Sequence, residues 1–367
     1  MIKSVHFKNF KALRDATLPL SRFTLIVGPN GSGKSTAMQA LSMASNPNVA
    51  YFGDVVTADL QRSSDSIVEI LIDWAVDYRS LESSRERVTD SRVSRPLQST
   101  VSVKIKTWWE QKGNAQNRGG PQYQNEFEYQ NDFAIDFSLK QEIYKELTSF
   151  KIFSFDAQAI TAPVLMQPNI QLEPNGFNLA GVLENLRDSD HERFEALNEE
   201  LGRWLPEFDR ILFETPKQGH KAFMLRTRAG QHKIKASDLS QGTLFALAFL
   251  TLAYLPNPPS IVCFEEPERG IHPRLLREIR DAMYRLCYPE EYGDKREPVQ
   301  VIATTHSPYF LDLYKDYPEE IVIAHKDEQG IHFERLSEKP DINEFLQDAP
   351  LGEVWYSGIL GGVPMKP

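Results

Sequence analysis

Residues 23–36 read FTLIVGPNGSGKST, an apolar run followed by a glycine-rich loop that fits G-x-x-x-x-G-K-[ST] from Gly28 to Ser35. No other stretch limits the fold as tightly. Glycines let successive backbone N–H groups turn inward toward an oxyanion with no Cβ in the way. A helix expected over about Ser35–Ser45, ended near Asn46-Pro47, adds its positive N-terminal end. The pattern predicts a strand–loop–helix unit that cradles a nucleotide. The backbone of Asn30, Gly31, Ser32 and Gly33 faces the phosphates, Lys34 reaches the β- and γ-phosphates, Ser35 holds Mg²⁺, and Thr36 assists at the α-phosphate. A chance glycine turn is the alternative. Its placement between an apolar strand and a helix argues against it.

Two later strands end in chemistry. Ser260–Phe264 is apolar and runs into Glu265-Glu266-Pro267-Glu268. Parallel strands deliver such C-terminal residues to a ligand crevice. Glu265 is expected in the Mg²⁺ shell opposite Ser35, directly or through water. Glu266 is expected to accept the proton of an attacking water. Val299–Thr304 is likewise apolar and leads to Thr305-His306-Ser307-Pro308. His306 is expected beside the γ-phosphate as a hydrogen-bond donor.

The segment DLSQGTLFALAF, residues 238–249, opens an apolar helix with polar, flexible residues. Asp238 or Ser240 can cap that helix, and the same N-terminus can hold an anion. Elsewhere, Ile2, Val5, Phe7 and Phe10 read as one face of a strand, and Ile67–Trp74, Val101–Trp108 and Phe127–Phe137 as strands of an antiparallel sheet. Residues 79–100 and 110–125 read as long loops. Residues 178–205 read as two helices broken at Asp188-Ser189-Asp190, and Phe223–Arg228 with Lys233–Ala236 as a hairpin. Strands alternating with helices in the second half predict a parallel sheet.

Composition sets the outer bounds. The chain has 367 residues and a formal net charge of −10, against a general nucleic-acid-coating role. Two cysteines, Cys263 and Cys287, provide neither a disulfide framework nor metal spacing. No segment has the apolar length of a membrane span or the core of a signal peptide, so a cytoplasmic location without membrane contact is expected.

In order along the chain stand NFKALRDATL, GPNGSGKST, DLSQGT, IVCFEEPERGIHP and IATTHSPYFLD. Together they resemble the ABC-type ATPase heads of the SMC, RecF and OLD (overcoming lysogenization defect) group, above all the stand-alone RecF/OLD-like ATPases. The resemblance covers residue 2 to about 312 and is weakest over 66–175. It implies an α/β fold, a P-loop NTPase of ABC/SMC-head type with a mixed sheet, an antiparallel β lobe and a helical lobe. It implies one head made of a phosphate-loop lobe (1–140), a helical and hairpin part (141–236), a signature lobe (237–340) and a C-terminal tail (341–367). Such heads pair head-to-tail around ATP and Mg²⁺, so Ser240 and Gly242 are expected to touch the γ-phosphate held by a second copy, with Gly270-Ile271-His272 near the interface. DLSQGT departs from the transporter form LSGGQ, with Gln241 for a Gly and Thr243 for a Gln. No long heptad run or zinc hook is present. A Toprim domain of the OLD kind has no room here, so the resemblance implies a separate nuclease or toxin effector subunit.

The functions this implies are an ATP-driven homodimer, or a higher oligomer, that gates DNA processing or an effector in anti-phage defence or repair. A slow-turnover ATP-binding scaffold for a toxin or nuclease is the alternative, and a transporter ATPase subunit ranks below both. Lys217, Lys221, Arg226, Arg228, Lys233 and Lys235 form a basic, acid-free stretch, either a DNA or partner surface or a solvated hairpin face. The tail around Trp355, Tyr356 and Ile359 either docks a partner or folds back. Lys11 and Arg14 are weak candidates for groups near the nucleotide, and the glutamine-bearing loop of such heads has no evident position.

Overall fold

The computed structural model describes residues 1–46, 67–77, 100–110, 122–129, 137–168, 170–328, 330–340, 342 and 349–360. β1 (Ile2–Phe10) and β2 (Leu13–Pro19) form an antiparallel hairpin, followed by β3 (Phe23–Val27) and α1 (Lys34–Ser45). β4 (Ile67–Asp77), β5 (Thr100–Glu110) and β6 (Gln122–Tyr129) extend the hairpin into a five-stranded antiparallel sheet, in the order β2-β1-β4-β5-β6. Ile2, Val5, Phe7 and Phe10 are all fully buried. The odd spacing of the first two reflects a register shift between Ile2 and Ser4 against β4.

The strand expected over Phe127–Phe137 lies further upstream. β6 pairs with β5 from Val103↔Tyr129 to Glu110↔Gln122, so it takes in the end of the expected 110–125 loop. Phe137 instead opens α2 (Phe137–Thr148). Most of the expected loops, 79–99 and 111–121, and residues 130–136 lie outside the described residues.

Next come β7 (Lys151–Phe153), α3 (Ala157–Thr161) and β8 (Val164–Leu165). The two helices expected over 178–205 are α4 (Leu179–Ser189) and α5 (His191–Trp204), and the Asp190 side chain accepts from the Arg193 N–H to cap the second. The hairpin β10 (His220–Thr227) and β11 (Lys233–Lys235) is joined by β9 (Phe208–Glu214) on β10. α6 (Gln241–Tyr254), β12 (Ile261–Glu265), α7 (Leu276–Cys287), β13 (Gln300–Thr305), α8 (Pro308–Leu311), β14 (Ile321–Lys326), β15 (Ile331–Arg335) and α9 (Leu351–Tyr356) complete the order.

The central sheet runs β15-β14-β3-β13-β12-β7. All its pairings are parallel except the β14–β15 edge. Its strands alternate between two cores. Phe23, Leu25, Val27, Val262, Phe264, Val301 and Ala303 face the helical core. Ile26, Ile261, Cys263, Ile302 and Val322 face α1 and the antiparallel sheet. Burial on both faces gives near-continuous apolar strands. α6 lies inside the helical core, with every residue from Thr243 to Tyr254 buried. That removes the amphipathic period expected of a surface helix.

The described part of the tail, residues 349–360, folds back. Leu351, Val354, Trp355 and Leu360 join the helical core, while Tyr356 and Ile359 stay exposed. A Cβ at Gly352 would lie 2.5 Å from the Pro308 carbonyl oxygen, so α9 is seated directly on the turn after β13.

Candidate functional site

Parallel pairing brings four strand ends to one edge of the central sheet. Thr305 pairs with Val27, Glu265 with Thr304, and Phe264 with Phe153. The loops after β3, β12, β13 and β7 therefore leave at one level, where the fold places a ligand crevice.

The loop after β3 is shaped by its glycines. Gly28 packs so close to β14 that a Cβ would meet the Ala324 carbonyl oxygen at 2.2 Å. Gly33 takes φ +89 and caps α1, a conformation L side chains rarely adopt. Lys34 is buried and its Nζ donates to the carbonyls of Gly28 at 2.7 Å and Pro29 at 2.9 Å. Burial lowers its pKa to about 8, against the opposing pull of the Glu266 carboxylate.

Glu266 follows β12 with φ +49, in the left-handed region. Its N–H donates to the Thr304 carbonyl at 3.1 Å. Its Oε1 lies 3.1 Å from His306 Nε2. Burial, then the Lys34 charge, lowers the His306 pKa, while Glu266 and a backbone hydrogen bond at Gly28 oppose this. The imidazole is thereby biased toward its neutral form near pH 7.

A cavity of about 260 Å³ unites these parts. Asn30, Gly31, Ser32, Gly33, Lys34, Ser35 and Thr36 line it together with Glu265, Glu266 and His306. Three residues that sequence reasoning did not single out line it as well: Ser154 after β7, Thr304 and Arg269. Ser154 follows a strand of only three residues, too short for a periodic signal. Lys11 donates to Gln39 Oε1, Arg14 is exposed, and neither lines the cavity.

The donor set suits a hard cation. The Ser35 hydroxyl and the Glu265 carboxylate line one cavity with the phosphate loop. Mg²⁺ is commonly held by one or two such oxygens plus substrate phosphates. Among the described residues no three His, Cys, Asp or Glu side chains form a preformed metal cage.

Ser240 and Gly242 lie apart from this cavity. They line a second one, of about 300 Å³, with His272 and Arg274 among its walls. Ser240, not Asp238, caps α6, and its Oγ accepts from the Thr243 N–H at 3.1 Å. Gly242 packs on the Gly270 carbonyl oxygen, where a Cβ would sit at 3.1 Å. Gln241, the residue that departs from the transporter signature, covers Gly270.

Three of the six basic residues of the stretch pair with acids. Lys221 pairs with Glu184 at 2.7 Å, Arg226 with Asp209 at 2.9 Å and Lys235 with Glu214 at 3.4 Å. No helix among the described residues is long and apolar enough to cross a membrane.

A family model described as an AAA ATPase domain matches residues 1–203. A second AAA-domain model, whose description also names the AbiEii toxin of type IV toxin–antitoxin systems, matches residues 150–312. An OLD nuclease from Thermus scotoductus is 23% identical over 350 residues, which cover 90% of this chain. The chain spans 63% of that relative's length. Among solved structures, an SMC head bound to the C-winged helix domain of ScpA overlays with a TM-score of 0.57 at 13% identity, covering 93% of this chain and 99% of that one. The fold is thus that of an SMC-type head. With a strand-edge cavity behind a G-x-x-x-x-G-K-[ST] loop and a matching model over more than half its residues, the chain belongs to the AAA ATPase domain family, and it is similar to an OLD nuclease in sequence and to SMC heads in fold.

Proposed function

We propose that the chain binds ATP with Mg²⁺ in the cavity at Lys34 and hydrolyses it within a pair of copies. The observation that carries this is the joint lining of one cavity by the phosphate loop, Glu265, Glu266 and His306. Ser35 and Glu265 would hold Mg²⁺, which when bound would neutralise charge on the phosphates. Lys34 exchanges its bonds to the Gly28 and Pro29 carbonyls for phosphate oxygens. Water attacks the γ-phosphorus, the bond to the bridging oxygen of ADP breaks, and Glu266 takes the water proton. Neutral His306 has one N–H to donate, which orients Glu266 before ATP binds and turns to the transferring group once ATP is bound.

The pairing rests on a separation. Ser240 and Gly242 open a different cavity from the one at Lys34, so a single copy does not bring them to its own phosphates. Two copies head-to-tail bring the signature cavity of each to the phosphate loop of the other. The likeness to an OLD nuclease supports a role in gating DNA processing or a separate effector, in anti-phage defence or repair. Scattering and turnover test the proposal together. Glu266→Gln is expected to bind ATP, hydrolyse it at least about 100-fold more slowly and accumulate as an ATP-bound dimer. Normal turnover by Glu266→Gln refutes the base assignment, and a monomer under saturating ATP refutes the pairing.

A further inference from the structure

We propose that Glu268 is a positioning residue for this hydrolysis, fastening the turn that carries Glu266 to the strand end that carries His306. The proposal rests on the pairing of Glu266 and His306 described above. Glu268 does not line the phosphate cavity. Its Oε1 accepts from the Thr305 hydroxyl at 2.5 Å and lies 3.4 Å from the His306 N–H. Thr305 is fully buried, and its Oγ1 also accepts from the Ser307 N–H at 2.9 Å. The hydroxyl therefore links the turn after β13 to the turn after β12, using its one proton toward Glu268.

The other oxygen, Glu268 Oε2, is buried and has no hydrogen-bond partner. A buried carboxylate with one unpartnered oxygen is costly, and a residue that only filled space would avoid that cost. What the carboxylate adds is reach between two strand exits. The other backbone ties of the turn after β12 to β13 both start from the Glu266 N–H, which donates to the Thr304 carbonyl at 3.1 Å and lies 3.4 Å from Thr304 Oγ1. Both leave from one N–H, so they hold the backbone of Glu266 while the rest of the turn is free to pivot. Glu268 supplies the second point and fixes the rotation.

The far end of this turn meets the signature. The Ile271 N–H donates to the Glu268 carbonyl at 3.1 Å, and Gly270 lies under Gln241, where a Cβ would meet Nε2 at 3.0 Å. Glu268 thus stands between the signature turn and His306. It resists displacement of the hydrolytic pair when the signature turn is loaded by a second copy.

Steady-state turnover of Glu268→Ala, Glu268→Gln and Thr305→Val tests this, with thermal melting as the check on folding. Glu268→Ala is expected to lower kcat at least about tenfold and to change the ATP KM less than about twofold. Glu268→Gln, with its amide oxygen in the place of Oε1, keeps kcat within about threefold of wild type. Thr305→Val lowers kcat, and the double variant with Glu268→Ala is no slower than the slower single variant. A wild-type kcat in Glu268→Ala overturns the proposal, as do a matching rise in KM, additive effects, or Glu268→Gln as slow as Glu268→Ala. If Glu268→Ala does not fold, Glu268→Gln and Thr305→Val carry the test. Wild type and Glu266→Gln are assayed alongside. Loss of turnover in wild type is a failure of the ATPase proposal, and active wild type with active Glu268→Ala is a failure of this one alone.

Discussion

Glu266 Oε1 and His306 Nε2 lie 3.1 Å apart, although the two residues leave different strands. The parallel register that sets Glu265 opposite Thr304 brings them together. Each orients the other, and each faces the cavity of Lys34. Replacing His306 by Ala is expected to reduce kcat by about 10²-fold with little effect on ATP affinity. Gln at 306 retains a donor and should lose less. Single-turnover kinetics with an equilibrium binding assay distinguish the two effects, and equal losses for both variants contradict a hydrogen-bonding role.

Gly28 has no room for a methyl group. Its Cβ would lie 2.2 Å from the Ala324 carbonyl oxygen and 2.8 Å from Ser32 Oγ. The first contact is of the new Cβ with a backbone oxygen, so no rotamer change relieves it. Gly28→Ala is predicted to force β14 away from β3 and lower stability by about 2 kcal/mol or more. Chemical denaturation measures this, and a wild-type midpoint with intact nucleotide binding contradicts it.

Ser240 has two separable roles. As the cap of α6 it satisfies the Thr243 N–H, and Ser240→Ala should cost about 1 kcal/mol of stability. Ser240→Asp restores a capping oxygen but places a negative charge where a phosphate is proposed to dock. That variant should melt like wild type and fail to dimerise with ATP. Dimerisation of Ser240→Asp at wild-type affinity excludes the phosphate contact.

Lys34 makes nucleotide binding pH-dependent. Burial lowers its pKa to about 8 from 10.5 in the unfolded chain. Because the folded value is the lower one, the unfolded chain binds more protons between these values, and stability rises as pH rises through that window. Phosphate oxygens favour the charged amine and raise the folded pKa again. Binding ATP at pH 8 is therefore predicted to take up roughly half a proton, and less at pH 7. Calorimetry in buffers of different ionisation enthalpy measures the uptake, and none at pH 8 contradicts the shift.

The parts of the site visible in the sequence are those built from local pattern. Gly28–Ser35, the apolar strands β12 and β13 and the polar opening of α6 each carry their signal within about ten residues. β7 and the β14–β15 hairpin do not. β7 is three residues long and is defined by pairing with β12, far along the chain, and no local period encodes that. The pairing of the basic stretch was hidden for a related reason. The acids that neutralise Lys221, Arg226 and Lys235 come from α4 and β9, outside the stretch. Glu268 read as part of an acidic strand exit, and its bonds to Thr305 and His306 follow only from the parallel register.

The backbone of Glu266, at φ +49, carries a further consequence. A glycine occupies that region without penalty, whereas a residue with a Cβ is held there at about 1 kcal/mol. Glu266→Gly should therefore melt at a higher temperature while losing its chemistry. Directed evolution for heat resistance alone would drift toward an inert protein at this position, and a thermostable homologue with glycine here would be recognisable as one that had given up turnover.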